Sequence, residues 1–189
     1  MKIADPAQGG HTPPLNEVRL MLDTLPFDGA RVLELGCGRA EKTRTLAETG
    51  RPQEILALEV DRIQHAKNLQ ITDLPSVRFA HGGAEAIPAP DASFDIVIMF
   101  KSLHHVLVEH MDTALAEVAR VLKPGGLAWI SEPVFAGDLN EIMRLFHDEK
   151  TVREAAFAAL CRAVERGPLL LKEERFFTTR SQFDDFAQF

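Results

Sequence analysis

The chain has 189 residues, 46% apolar and 26% charged, which suits one globular domain with a proper core and is too short for two comfortable ones. Its formal net charge of -7 argues against a surface built to neutralise nucleic-acid phosphates, and its apolar runs, such as IVIMF, fall short of a bilayer span. Two cysteines, Cys37 and Cys161, show neither metal-ligand spacing nor a disulfide framework, and MKIADPAQGGHTPPLN has no apolar signal-peptide core, so a cytoplasmic protein is expected.

Taken in chain order, the Gly/Pro-rich opening reads as a loose tail over residues 1–14. Asn16 caps a helix to about Leu25, with Val18, Leu22 and Leu25 on one face. Val32–Leu35 is a short buried strand, Glu41–Thr49 a helix closed by Gly50 and Pro52, and Glu54–Glu59 a second strand. A helix over Arg62–Leu69 and a strand over Val77–Ala80 follow, then Phe94–Phe100, the most apolar strand. Asp112 caps a helix with Leu115, Val118, Ala119 and Leu122 at helical spacing. Pro124-Gly125-Gly126 ends that helix, and Leu127–Ser131 is a fifth strand. Helices are expected over Asp138–Phe146, Val152–Val164 and Ser181–Phe189, with a possible sixth strand at Leu171–Phe177. Uniformly apolar strands alternating with amphipathic helices indicate an α/β three-layer sandwich around a mostly parallel sheet.

In such a sheet, ligands sit beyond the carboxyl ends of the strands, first of all at the turn after the first strand. That turn reads VLELGCGRAEKT. Gly36 and Gly38 allow close backbone approach, though a tight turn that binds nothing also uses glycine. A dinucleotide fingerprint needs a third small residue at position 41, where Glu41 stands, and Glu34 precedes the first glycine. Two carboxylates repel a pyrophosphate and favour a cationic ligand. Glu59 ends the second strand, where an acid can accept both hydroxyls of a ribose or simply face solvent.

These segments together resemble the class I S-adenosylmethionine-dependent methyltransferases, close to the group acting on small molecules. The resemblance covers most of Arg31–Pro133. VLELGCGRA is similar to the family's E-x-G-x-G-x-G motif, with Ala40 replacing the last glycine, and LALEVD to the ribose-acid motif. HGGAEAIPAPDASFDIVIM and RVLKPGGLAWISEP resemble the third region with the fourth strand and the turn with the fifth strand. The resemblance implies a Rossmann-like fold, here with the last antiparallel strand lacking or shortened, and a cofactor-binding core over 15–134. It implies a helical, substrate-covering segment over 135–189, and S-adenosylmethionine as cofactor with S-adenosylhomocysteine as product. The implied cofactor set is Glu34, Gly36, Cys37 and Gly38 in the turn, and Glu59 and Val60 at the second strand. Gly83, Ala84, Glu85 and Lys101 complete it. Gly83 stands where many relatives carry an aspartate that reads the adenine, leaving backbone groups around Ala84 to do so.

Methyl transfer from a sulfonium needs alignment more than covalent help, and a base only if the acceptor must lose a proton. FKSLHHVLVEH after the fourth strand offers His104 and His105 as base or acceptor-orienting groups, and Glu132 is a similar candidate. No metal-ligand set stands out. Cys37 is read as a small residue packed under the ligand, and Cys161 as a core-facing helical residue. Trp129 is assigned to packing, as are most of Phe135, Phe146, Phe157, Phe176 and Phe177. The expected partner is a small-molecule acceptor, with no nucleic acid and no membrane. A shortened sheet leaves an edge that a homodimer would cover. The alternatives are a non-catalytic S-adenosylmethionine- or S-adenosylhomocysteine-binding module and, less favoured by the charge, an RNA methyltransferase.

Overall fold

The computed structural model describes residues 15–179, so the expected tail over 1–14 and helix over Ser181–Phe189 lie outside the described residues. The elements are α1 (Glu17–Thr24), β1 (Arg31–Leu35), α2 (Glu41–Glu48), β2 (Glu54–Glu59), α3 (Arg62–Asn68), β3 (Val77–His81) and β4 (Phe94–Phe100). Then come α4 (Met111–Val121), β5 (Leu122–Ser131), α5 (Asp138–Met143) and α6 (Lys150–Glu165), with short 3₁₀ turns at Leu103–His105 and Val108–His110.

The five strands form one parallel sheet in the order β3-β2-β1-β4-β5. The central strands β1, β2 and β4 are apolar along most of their length because both faces are covered, with charged residues mainly at their ends, whereas the edge strand β3 is only partly buried. Alternate side chains go to opposite layers. Val32, Ile55, Ile96 and Ile98 join Met21 and Phe27 on the side of α1 and α2. Leu33, Leu35, Leu58, Val97 and Met99 join Leu115 and Val118 of α4 on the other. Each such side chain, when fully buried, contributes about 1.5–3 kcal/mol of transfer free energy. Ala156, Ala159 and Ala163 of α6 complete the second layer, their small size allowing the helix to approach α4 closely.

α1 begins as expected, with the Asn16 side chain accepting from the Arg19 amide. Several expectations are corrected. Asp112 does not cap α4. The helix starts one residue earlier, and the Asp112 carboxylate instead pairs with Arg162 of α6 at 2.9 Å. Pro124-Gly125-Gly126 does not separate α4 from β5. The strand already starts at Leu122, which pairs with Phe94, and the register shifts before Ile96 meets Leu127, so the Pro-Gly-Gly segment is accommodated within the strand. Leu171–Phe177 forms no strand: among the described residues the chain after Gly167 has no regular element. Cys161 is half-buried, since α6 turns its alanines inward. Phe146 and Phe176 are exposed, so the phenylalanines after β5 are not uniformly core. Trp129 packs against the first layer, as expected for the fifth strand.

Candidate active site

The strand order reverses between β1 and β4, the topological switch point at which ligands of open parallel sheets sit, beyond the carboxyl ends of the strands. β1 leads into Gly36, whose φ of 72° is left-handed. A Cβ built there would lie 2.8 Å from the Ser102 Cβ, and the Ser102 hydroxyl donates to the Leu35 carbonyl at 2.9 Å. Glycine is thus required both by conformation and by the closeness of the segment after β4. Gly36 and Cys37 amides donate to the Leu58 carbonyl at 3.0 Å, which fastens the turn to β2. Ala40 adopts φ 60° just before α2, so the departure from glycine is tolerated in a left-handed conformation that costs an alanine about 1–2 kcal/mol.

Glu59 ends β2 with its carboxylate turned back to the glycine turn. One oxygen accepts from the Gly38 amide at 2.8 Å, the other from the Asp61 amide at 2.9 Å. Each oxygen keeps further acceptor capacity, because a carboxylate oxygen offers about two lone-pair positions. Val60, the next residue, is exposed, and its carbonyl accepts from His81 Nε2 at 3.0 Å.

Glu34 is buried under the turn, where the Thr43 hydroxyl donates to it at 2.7 Å. Burial pushes its pKa up to about 7, against the opposing Thr43 hydrogen bond and the Lys42 charge. Cys37 is also buried. Burial first, and the nearby Glu34 and Glu59 carboxylates next, push its thiol to about 12. It is a packed, protonated thiol and not a nucleophile. Asn68 of α3, which sequence reasoning missed, donates to the Gly38 carbonyl at 2.8 Å and to Cys37 Sγ at 3.4 Å. An amide at the end of a short helix has no sequence signature for that role.

Gly83, Ala84 and Glu85 lie in the loop after β3. Ala84 is buried. A Cβ at Gly83 would lie 2.5 Å from Glu85 Oε2 and 2.7 Å from Oε1. The Glu85 carboxylate therefore occupies the space that a side chain at 83 would take. The loop is held from beneath by α4: Glu117 accepts from the Ile87 amide at 3.0 Å, and Arg120 donates to the Ile87 and Ala89 carbonyls.

Lys101 follows β4 with φ 52°, and its ammonium lies 3.7 Å from the buried Glu17 carboxylate of α1. Glu17 also accepts from the Ser131 hydroxyl. Beyond Lys101, the 3₁₀ turn carries both histidines. His104 is buried, with Nδ1 2.5 Å from Glu132 Oε2 at the end of β5, and the Leu103 amide donates to Glu132 Oε1 at 2.9 Å. His105 reaches solvent, its ring centroid 4.2 Å from that of His104. Protein mass around it, and then His104, hold His105 below the usual imidazole range. A 370 Å³ hollow lined by Arg31, Glu54, Ser76, Arg78 and Pro88 lies at the opposite end of the sheet and holds none of these groups.

The family described as "Methyltransferase domain" matches residues 33–130, a range that holds the glycine turn, Glu59 and most of the five-stranded sheet. The chain belongs to the methyltransferase-domain family. A second family, "Anamorsin, N-terminal", matches residues 85–179. Among curated relatives, a fatty-acid O-methyltransferase of Mycolicibacterium smegmatis is 39% identical over 101 residues, covering 52% of this chain and 35% of the relative. The Shewanella pealeana ubiquinone/menaquinone biosynthesis C-methyltransferase UbiE is 35% identical over 127 residues, 64% of this chain and 48% of the relative. The chain thus spans less than half the length of both. The crystal structure of the YcgJ protein from Bacillus subtilis superposes with a TM-score of 0.60 at 28% identity, over 75% of this chain and 66% of that one. The chain has a Rossmann-like parallel sheet from β1 to β5.

Proposed function

We propose that the chain binds S-adenosylmethionine in the β1–β4 crevice and directs its methyl group to an O, N or C atom of a small, largely apolar molecule. The observation that carries this reading is Glu59. Its two oxygens are pinned by the Gly38 and Asp61 amides beside the glycine turn and still have acceptor capacity, which fits a vicinal diol. Such an acid also suits the ribose of a dinucleotide, and the choice between the two ligands rests on the turn, where Glu41 stands at the position that a pyrophosphate fingerprint gives to a small residue. When bound, the cofactor supplies a methyl group already activated by the sulfonium.

The chain's own residues then position and discriminate. Glu59 accepts the ribose hydroxyls, and Val60 lies against the adenosine. Gly36, Cys37 and Gly38 give the amino-acid portion close access to backbone. Glu34, buried beneath, supplies negative potential toward the ammonium. The Glu85 carboxylate, filling the space above Gly83, takes the adenine-reading role together with the Ala84 backbone. Lys101 bounds the crevice on the β4 side.

Where the acceptor must lose a proton, Nδ1–H of His104 donates to Glu132, which leaves Nε2 to accept the proton and the carboxylate to stabilise the imidazolium. His105 beside it orients the acceptor. An apolar acceptor is supported by the fatty-acid and quinone-pathway names of the relatives and by exposed Leu107, Val108, Leu145 and Phe146 in the segments adjoining the histidines. Residues 135–179 cover that acceptor. A second copy of the chain meets the open side of β5, and free thiols suit the cytoplasm.

The test is calorimetric binding of S-adenosylhomocysteine, followed by incubation with label in the donor's methyl group and a panel of fatty acids and hydroxylated apolar compounds. Saturable binding that Glu59→Gln weakens at least tenfold, with label in an extracted product, is expected. Binding of NAD in preference to either adenosyl compound would overturn the reading. Tight binding with no labelled product in any metabolite extract would favour the non-catalytic module.

A further inference from the structure

We propose that His104, His105 and Glu149 form a site for one divalent transition-metal ion of the zinc class. One potential ligand atom from each residue lies within 4.8 Å of the other two. The decisive spacing is between His104 Nε2 and Glu149 Oε1, 3.9 Å. That is too long for a hydrogen bond, and it is within about half an ångström of the roughly 3.3–3.6 Å that separates two ligands of a tetrahedral ion held at about 2.0–2.2 Å from each. Rotation of the solvent-reaching His105 ring brings the third ligand in.

The surroundings are those of an oriented site. His104 is buried and donates through Nδ1 to Glu132, the second contact that fixes a ligating imidazole's tautomer and leaves Nε2 for the metal. Glu149 is likewise divided. Arg153 donates to Oε2 at 2.6 Å, so Oε1 is turned to His104 and to His147, whose Nε2 lies 3.3 Å away. Two imidazoles and one carboxylate select zinc, iron or copper over magnesium and calcium, which prefer all-oxygen sets. Three protein ligands leave a coordination position open.

The location gives the ion a consequence. His104 and His105 sit on the turn after β4, and Glu149 is the residue before α6. An ion there ties the segment covering the mouth to the sheet. It also takes the Nε2 lone pair of His104 that proton acceptance would use, so metal occupancy and base catalysis at that ring exclude one another. The inference shares the histidines with the proposed methyl transfer but not the cofactor crevice.

The test uses the full chain under reducing conditions and zinc alone, titrated in competition with a chromophoric chelator, for the wild type, His105→Ala and Glu149→Gln. The thermal shift with S-adenosylhomocysteine is recorded on the same samples. One equivalent is expected to bind, each substitution weakening it at least tenfold while the adenosyl shift is kept. Cobalt substituted for zinc should show nitrogen and oxygen ligation without a thiolate charge-transfer band. Unchanged zinc affinity in both variants, a thiolate band, or no saturable binding would overturn the site. Equal retention of magnesium would do the same. Absence of the adenosyl shift in the wild type, with zinc bound as described, would sink the cofactor reading and leave the metal site standing.

Discussion

Glu34 illustrates how a single buried group couples stability to pH. Its pKa is raised from 4.5 to about 7, chiefly by burial, so between these values the folded chain holds a proton that the unfolded chain has lost. Its stability contribution is complete below about pH 4.5 and is lost as pH rises to about 7. The loss is at most about 1.4 kcal/mol per pH unit for one group. Denaturant midpoints of Glu34→Gln measured across this window should fall less steeply with pH than those of the wild type. An unchanged slope would contradict the assignment. In the bound state the ammonium favours the carboxylate, so adenosyl binding below pH 7 should release a proton, measurable as buffer-dependent binding heat.

Gly36 and the Glu132–His104 pair carry two further residue-scale predictions. Gly36→Ala places a methyl 2.8 Å from the Ser102 Cβ at a left-handed φ, and should cost about 1–3 kcal/mol by denaturant unfolding. Ser102→Gly on that background should restore part of the loss, because it removes the clash and leaves the strain. Glu132→Gln keeps an acceptor for Nδ1 but removes the charge facing it, and should lower kcat at least about tenfold with S-adenosylhomocysteine affinity unchanged. Equal loss of affinity and rate would assign Glu132 to structure alone.

Among the elements, α6 depends on small size. Ala156, Ala159 and Ala163 are buried against the rest of the second layer, and Arg162 reaches across to Asp112 of α4. Ala159→Leu should cost about 1–3 kcal/mol by overpacking, a fall in Tm of about 2–4 °C per kcal/mol for a chain of this size. Arg162→Ala removes an exposed pair and should change stability by under about 1 kcal/mol. A larger effect at Arg162 than at Ala159 would mean that charge, not close packing, docks the helix. Several boundaries followed from periodicity, as with Asn16 capping α1 or β4 over Phe94–Phe100. The sequence pattern starts β5 only at Leu127, because Pro-Gly-Gly ordinarily ends structure. Here pairing with β4 across a register shift outweighs that local preference. Leu171–Phe177 has strand-forming residues but pairs with no strand, and an extended segment becomes a strand only through a neighbour's hydrogen bonds.

At the scale of the whole molecule, one sheet separates two hydrophobic layers and brings the carboxyl ends of β1, β2, β4 and β5 to one side of the molecule. Saturating S-adenosylhomocysteine at about 100 times its Kd should stabilise the chain by about 2.7 kcal/mol, read as a concentration-dependent Tm. NAD at the same concentration should give no shift. The amino-acid sequence by itself determined the parallel α/β class, the glycine turn and the strand-end acid Glu59, because backbone freedom, apolar runs and charge at strand ends are local properties. Only the tertiary structure decided that Glu85 fills the space above Gly83, that Asn68 straps the turn, and that Glu132 and Glu149 converge on His104. These partners come from different elements, and no spacing along a chain records which strand ends and helix starts a parallel sheet will bring within a few ångströms of one another.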